Sequence, residues 1–259
     1  MTLVMTRTLQ KWNGAGNDFL VDVGSPDELA VWTASRATAI CDRQVGIGAD
    51  GLLLATLQDG LLSMTLFNAD GSIAEMSGNG IRCLVAAVHR ATQATWSSID
   101  VATGAGRRSV SLTLAGDEGF GSVDMGSVRL EQPLEGTLGV ANVGNPHIVL
   151  MDEATWSDAE RTARAVSLSD SFGGANIEFV TVLSDSHVAI KVHERGVGWT
   201  QACGTGSVAT TAVMHHLGLT GPKVVVSNPG GDLTVELKGI EATLAGPVAF
   251  ERDVEWSLA

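Results

Sequence analysis

Apolar and polar residues alternate along two stretches that lie far apart in the chain. Leu62, Met64 and Leu66 interleave with Ser63 and Thr65, and Val188, Ile190 and Val192 interleave with Ala189 and Lys191. A period of two marks a strand with one buried face. After each run comes a glycine-rich turn and then a helical period. Ile81, Leu84, Val85 and Val88 fall at i, i+3, i+4 and i+7, and Ala209, Ala212, Val213 and Leu217 nearly repeat the spacing. Strand, loop and helix start are therefore predicted twice. The loops correspond as well, Ser77-Gly78-Asn79-Gly80 and Cys203-Gly204-Thr205-Gly206, 126 residues apart.

Two further landmarks repeat in the same order. Gly16-Asn17-Asp18-Phe19 heads the apolar pair Leu20-Val21, and Gly144-Asn145-Pro146-His147 heads Ile148-Val149-Leu150 at an offset of 128. Val101 to Gly106 and Val226 to Gly231 both read as strand and turn, at an offset of 125. Four landmarks at nearly one offset describe an internal duplication whose period is far too long for a solenoid. The expectation is two halves, residues 1–128 and 129–246, related by a pseudo-twofold axis, with the tail 247–259 returning to the first. Each half has the common size of a domain with its own core.

Of 259 residues, 44% are apolar and 17% charged, as in an ordinary globular chain. A net charge of −13 opposes nucleic acid and anionic membrane surfaces. No apolar stretch approaches the roughly 18 residues of a membrane span, and Met1 to Gln10 lacks the features of a signal peptide, so a cytoplasmic location is expected. Cys41, Cys83 and Cys203 have no CxxC or metal-like companion and are expected as reduced thiols. Cys41 is expected at the end of a helix that Ser25 caps and that has Pro26 and Asp27 in its first turn. Gly46 to Gly51 satisfies G-x-G-x-x-G, but a helical run precedes it and a strand-like run follows, the reverse of a dinucleotide site. None of the four lysines has a setting for a pyridoxal Schiff base.

Chemistry on side chains alone is expected at Cys203. A thiol at a helix N-terminus feels the positive end of the macrodipole, which lowers its pKa, and the free N–H groups there can hold a carboxylate. A duplicated helix start then offers two acid/base positions, Ser77 and Cys203, for opposite sides of one carbon. That is what inversion of a stereocentre requires, one group removing the proton and the other returning one to the opposite face. Racemisation or epimerisation without a cofactor follows.

At this point the residues resemble the diaminopimelate epimerases. The resemblance rests on Lys11 to Phe19, Asn68-Ala69-Asp70-Gly71-Ser72, Gly78 to Cys83, Gly144 to His147, Glu194-Arg195-Gly196 and Ala202 to Gly206, which occur in the family's order along nearly the whole chain. It implies an α/β fold of the α+β type, also found in proline racemases, with two pseudo-symmetric domains. Each is a mixed β-sheet wrapped around a central helix, and the active site lies in the interdomain cleft. It implies that Cys203 is the second catalytic thiol, with Gly204 and Thr205 holding the reacting carboxylate from one side and Gly78 and Asn79 from the other. Asn17, Asn68, Asn145, Asn176 and Arg195 would surround the substrate, Arg195 gripping the distal carboxylate, while His147 and Glu194 tune the acid/base groups and Glu194 also lines the substrate. No cofactor and no metal are implied. The expected partners are the amino acid diaminopimelate and a possible second copy in a homodimer, with no nucleic acid and no membrane.

The departure is Ser77, where the family has its first catalytic cysteine. A hydroxyl is a much weaker acid than a thiol. The serine is compatible with an introduced substitution, with a natural variant that epimerises slowly or asymmetrically, or with another substrate or a one-base elimination. The alternatives are a related racemase, isomerase or dehydratase with a Ser/Cys pair, and a catalytically inactive binding protein on the same fold.

Overall fold

The structure is a computed structural model that describes residues 5–58 and 61–258. In chain order its elements are β1 (Met5–Gly14), β2 (Asn17–Val23), α1 (Pro26–Leu29), α2 (Ala34–Cys41), β3 (Gly51–Gln58), β4 (Leu61–Asn68), β5 (Ile73–Ala74), α3 (Gly78–Thr92), β6 (Ser98–Thr103), β7 (Gly106–Ala115), β8 (Glu118–Ser127) and β9 (Arg129–Glu131). There follow β10 (Gly139–Asn142), β11 (Pro146–Met151), α4 (Asp158–Ser171), β12 (Asn176–Ser184), β13 (His187–Glu194), β14 (Gly198–Thr200), α5 (Gly204–His216), β15 (Lys223–Asn228), β16 (Gly231–Lys238) and β17 (Glu241–Leu258).

Two compact units emerge, residues 1–123 with 246–259, and residues 124–245. The first junction lies inside β8 and the last inside β17, whereas the sequence reading set them at 128/129 and 246/247.

Unit 1 begins with the antiparallel hairpin β1–β2, whose two-residue turn puts both Ala15 (φ 53°) and Gly16 (φ 89°) in the left-handed region. Such a turn suits the twist of a hairpin, and here it presents Asn17 as the first residue of β2. Strand β2 runs parallel to β3, β3 antiparallel to β4, β4 parallel to β6, and β6 antiparallel to β7. The run Leu52-Leu53-Leu54-Ala55 is buried throughout, as a parallel strand covered on both faces should be. Leu62, Met64 and Leu66 of β4 are buried, as the alternation predicts.

Unit 2 repeats this order. Hairpin β10–β11 leads to β12 parallel to β11, then β13 antiparallel to β12, β15 parallel to β13, and β16 antiparallel to β15. Helix α4, opened by a capping box between Ser157 and Glu160, takes the place of α1 and α2. Strand β17 pairs with β16 through its first residues and with β1 from Ala249 onward. The duplicated, mixed α+β architecture is thus present in both units.

The helix at the centre of each unit is enclosed rather than laid on a sheet. Every residue from Gly78 to Val88 of α3 is buried, with strands β1, β2, β3, β4 and β7 packed around it. Full burial of Ile81, Leu84, Val85 and Val88 contributes about 1.5–3 kcal/mol each. In α5 Gly206 to Met214 are buried, while Leu217, placed on the apolar face by its spacing, is 44% exposed at the C-cap. The helix expected from Ser25 to Cys41 is two. Ser25 caps only α1, and Thr33 caps α2. Between them Trp32 turns into the core, where its indole donates to Asp22 at 2.7 Å, and this pulls the chain off a helical path. Among the described residues no helix is long and apolar enough to cross a membrane.

Candidate active site

The two loops singled out by the repeat adopt the same local structure. Ser77 (φ −137°, ψ 123°) is the N-cap of α3 and Cys203 (φ −128°, ψ 112°) the N-cap of α5. Ser77 Oγ accepts from the Gly80 N–H at 3.0 Å, and Cys203 Sγ accepts from the Gly206 N–H at 3.4 Å. An extended N-cap followed by glycines leaves the next N–H groups free of intrahelical partners. Each helix start can therefore receive an anion.

In unit 1 the structure brings Asn17, Ser77, Gly78 and Asn79 into one assembly. Asn79 Nδ2 donates to Asn17 Oδ1 at 2.6 Å, and Asn17 Nδ2 donates to Asp50 Oδ2 at 3.1 Å. Asp50 shares Arg43 with Asp18, which also binds Lys11 at 2.8 Å. Behind the loop lies Arg82, which sequence reasoning missed because it falls off the apolar stripe of α3. It is fully buried, and donates to the Gly78 carbonyl at 2.8 Å and to Asn79 Oδ1 at 3.0 Å. Burial pushes its guanidinium down to about 10, still charged at neutral pH. Asn68 ends β4 opposite Gly51, beside Asp50; it is exposed, and its side chain donates to Ser72 Oγ at 2.9 Å.

In unit 2 a second assembly surrounds Cys203. Thr205 Oγ1 lies 3.5 Å from Sγ, and Asn228 Oδ1 accepts from the Cys203 N–H at 3.3 Å. Glu194 accepts from Thr200 Oγ1 at 2.6 Å, and burial raises its carboxyl above the usual range. His147, on β11, touches Asn145 Oδ1 through Nε2 at 3.0 Å and Glu178 Oε1 through Nδ1 at 2.6 Å. Asn176 Oδ1 accepts from the backbone N–H of Arg195 at 2.9 Å. Arg195 is exposed, its Cδ lying where a Cβ on Gly174 would be 2.7 Å away. Thr200, Asn228 and Glu178 are the residues sequence reasoning missed here. Only Glu178 left a signal, a lone carboxylate in the apolar run Ile177-Glu178-Phe179-Val180.

One expectation is overturned. Cys203 is not a depressed thiol: burial first, then the carboxylates of Glu194 and Glu178, push it well above the ordinary value. A helix terminus contributes about 0.3–1 kcal/mol, less than one pKa unit, whereas burial shifts groups by up to 3–5 units, so burial wins. The thiol is 6% exposed and rests protonated.

Burial also raises Cys41 and Cys83, each to about 12. An unfolded thiol ionises near pH 8.5, so above that pH the unfolded chain releases protons that the folded chain keeps. The stability these thiols contribute is complete below about pH 8.5 and is lost as pH rises toward their folded values. The urea midpoint of the parent is expected to fall more steeply than that of Cys83→Ala between about pH 8 and pH 11, and equal slopes would refute the assignment.

The family described as diaminopimelate epimerase matches residues 10–131 and 139–251. The diaminopimelate epimerase of Rhodococcus opacus is 37% identical over 270 residues, covering 92% of each chain. That of Desulforudis audaxviator is 36% identical, covering 95% of this chain and 98% of its own. Among solved structures, a hydroxyproline epimerase from Agrobacterium vitis superposes with a TM-score of 0.74 at 14% identity, covering 100% of this chain and 94% of its own, which is a likeness of fold.

Proposed function

The chain belongs to the diaminopimelate epimerase family and is an isomerase of the epimerase type; on that footing we propose that it interconverts LL- and meso-diaminopimelate by proton transfer at the α-carbon. In this reading the enzyme is cytoplasmic, uses no cofactor, and supplies precursors of lysine and peptidoglycan. The observation that carries it is the duplicated helix start. Two N-caps of matching geometry, each followed by free N–H groups, suit a substrate whose α-carboxylate is held while a proton moves at the adjacent carbon.

In this reading the roles are divided between the two assemblies. Gly78 and Asn79 on one side and Gly204 and Thr205 on the other take the α-carboxylate. Cys203 acts on one face of the carbon. Since its thiol rests protonated, it first hands its proton to Glu194, whose raised carboxyl is suited to share it, and then takes the α-proton as the thiolate. His147 acts with Glu194 on that exchange. Asn17, Asn68, Asn145, Asn176 and Arg195 hold the remainder of the substrate, the planar Arg195 fork fitting the distal carboxylate. Ser77 stands at the other face. Its hydroxyl can pass a proton to the far more basic carbanion and regain one from water, but it cannot stand as an alkoxide base near neutral pH, so inversion is asymmetric and slow.

Incubation with LL-diaminopimelate in deuterated water tests the reading. Deuterium is expected at the α-carbon, entering recovered LL substrate faster than meso product appears. No label in either isomer would show a binding protein rather than an enzyme for this substrate.

A further inference from the structure

Strand register lets one unit serve as a control for the other. In unit 1 Phe19 pairs with Gly51, and Leu53 pairs with Val21 on one side and Leu66 on the other. In unit 2 His147 pairs with Asn176, and Glu178 pairs with Val149 and Val192. His147 therefore occupies the place of Phe19, and Glu178 the place of Leu53. Phe19 and Leu53 are buried and apolar, so the duplicated frame closes without any charge at these positions. In the half that carries the thiol, both places hold ionisable groups with no exposure at all. A buried ion pair is no more stabilising than well-packed apolar residues of similar size, so the frame does not need one here.

Contacts show what the carboxylate reaches. Glu178 Oε1 lies 2.6 Å from His147 Nδ1, and a Cβ built on Gly206 would meet that same oxygen at 2.6 Å and Cys203 Sγ at 3.3 Å. Glycine at 206 is what allows the carboxylate against the first turn of α5. Its other oxygen, Oε2, is buried without a hydrogen-bond partner.

We propose that Glu178 is a positioning residue of this site, its carboxylate fixing the His147 imidazole through Nδ1 and setting the charge against which Cys203 exchanges its proton. The proposal rests on the epimerase reading for what that exchange serves. The charged groups around the thiol are Glu194 from β13 and Glu178 from β12, with His147 from β11 acting on Glu194. Of the other strands packed on α5, β15 sets the uncharged Asn228 against the Cys203 N–H, β10 sets Gly139 against Val213, and β16 carries the buried Leu233 and Val235. Both carboxylates oppose a thiolate, so removing Glu178 eases ionisation of Cys203 while freeing the imidazole to turn.

The test reads alkylation of Cys203 by iodoacetamide on its own peptide as a function of pH, together with α-deuterium incorporation, in the full chain. The variants are Glu178→Gln and the double variant His147→Phe/Glu178→Leu, which copies the apolar pair of unit 1. Glu178→Gln is expected to alkylate about tenfold faster than the parent near neutral pH. Its kcat is expected to fall at least about tenfold with KM within about twofold. The double variant is expected to unfold cooperatively at no lower temperature than the parent, to alkylate faster, and to lose exchange. Should Glu178→Gln not fold, the double variant gives both readings. Unchanged alkylation overturns the proposal whether or not diaminopimelate is turned over, and so does a double variant that keeps the parental exchange rate. Faster alkylation in a protein whose parent exchanges no proton on diaminopimelate would uphold Glu178 and remove the substrate.

Discussion

Cys203→Ala is expected to lower α-proton exchange on LL-diaminopimelate by roughly 10² to 10⁴, the range for one positioned acid/base group, with little change in KM. The separation of the two parameters follows from the local geometry. The Cys203 side chain accepts from the Gly206 N–H and lies 3.5 Å from Thr205 Oγ1, while the N–H groups proposed to hold the carboxylate belong to Gly204 and Thr205. Alanine keeps the backbone and removes the thiol, and with the exchangeable proton only the cap contact to the Gly206 N–H and the contact to Thr205 Oγ1 are lost. It also relieves the site of a group that burial and two carboxylates hold in its neutral form, so the fold should lose little. Deuterium incorporation and steady-state kinetics on the same preparation check the split. Retention of more than about a tenth of the parent exchange rate would place the base elsewhere.

The result for Cys203 also marks the boundary between what the chain discloses and what only packing decides. Alternation in β4 and β13 was legible because each strand has one buried face, and Leu62 and Val188 fall where that face requires. The helix starts were legible because glycines and a polar cap have few other uses between a strand and an apolar helical run. What could not be read was enclosure. The stripe on α3 suggests a helix with a wet side, but strands pack around it, and Arg82 is trapped in the interior with its Nε unpaired. Enclosure likewise decides the thiol: the dipole at Cys203 follows from the sequence, whereas the approach of Glu178, admitted by Gly206, depends on strand register. Asn17 and Asn79 are neighbours for the same reason, since 62 residues separate the two partners of a 2.6 Å hydrogen bond.

The corresponding places in the two units carry opposite electrostatics, and this bears on the serine. The buried cation of Arg82, at the position where α5 has the apolar Val208, donates to the carbonyl of Gly78, the residue after Ser77; beside Cys203 lie two carboxylates. A thiol at residue 77 would therefore meet a positive neighbour and the start of α3, both of which favour a thiolate. Ser77→Cys is expected to raise epimerisation by roughly 10² to 10⁴, and the new thiol should alkylate faster than Cys203 near neutral pH. Local geometry permits the change: the Gly80 N–H that now donates to Ser77 Oγ at 3.0 Å matches the Gly206 N–H that donates to Cys203 Sγ at 3.4 Å. Meso product and α-deuterium should then appear at similar rates, in place of exchange outrunning inversion. Cys203→Ala in that background should remove the gain in inversion, because a single thiol can exchange the α-proton but cannot deliver one to both faces. If the serine protein already inverts diaminopimelate as fast as its Ser77→Cys variant, the hydroxyl or a water bound to it is the second acid, and the two-thiol account of this chain fails.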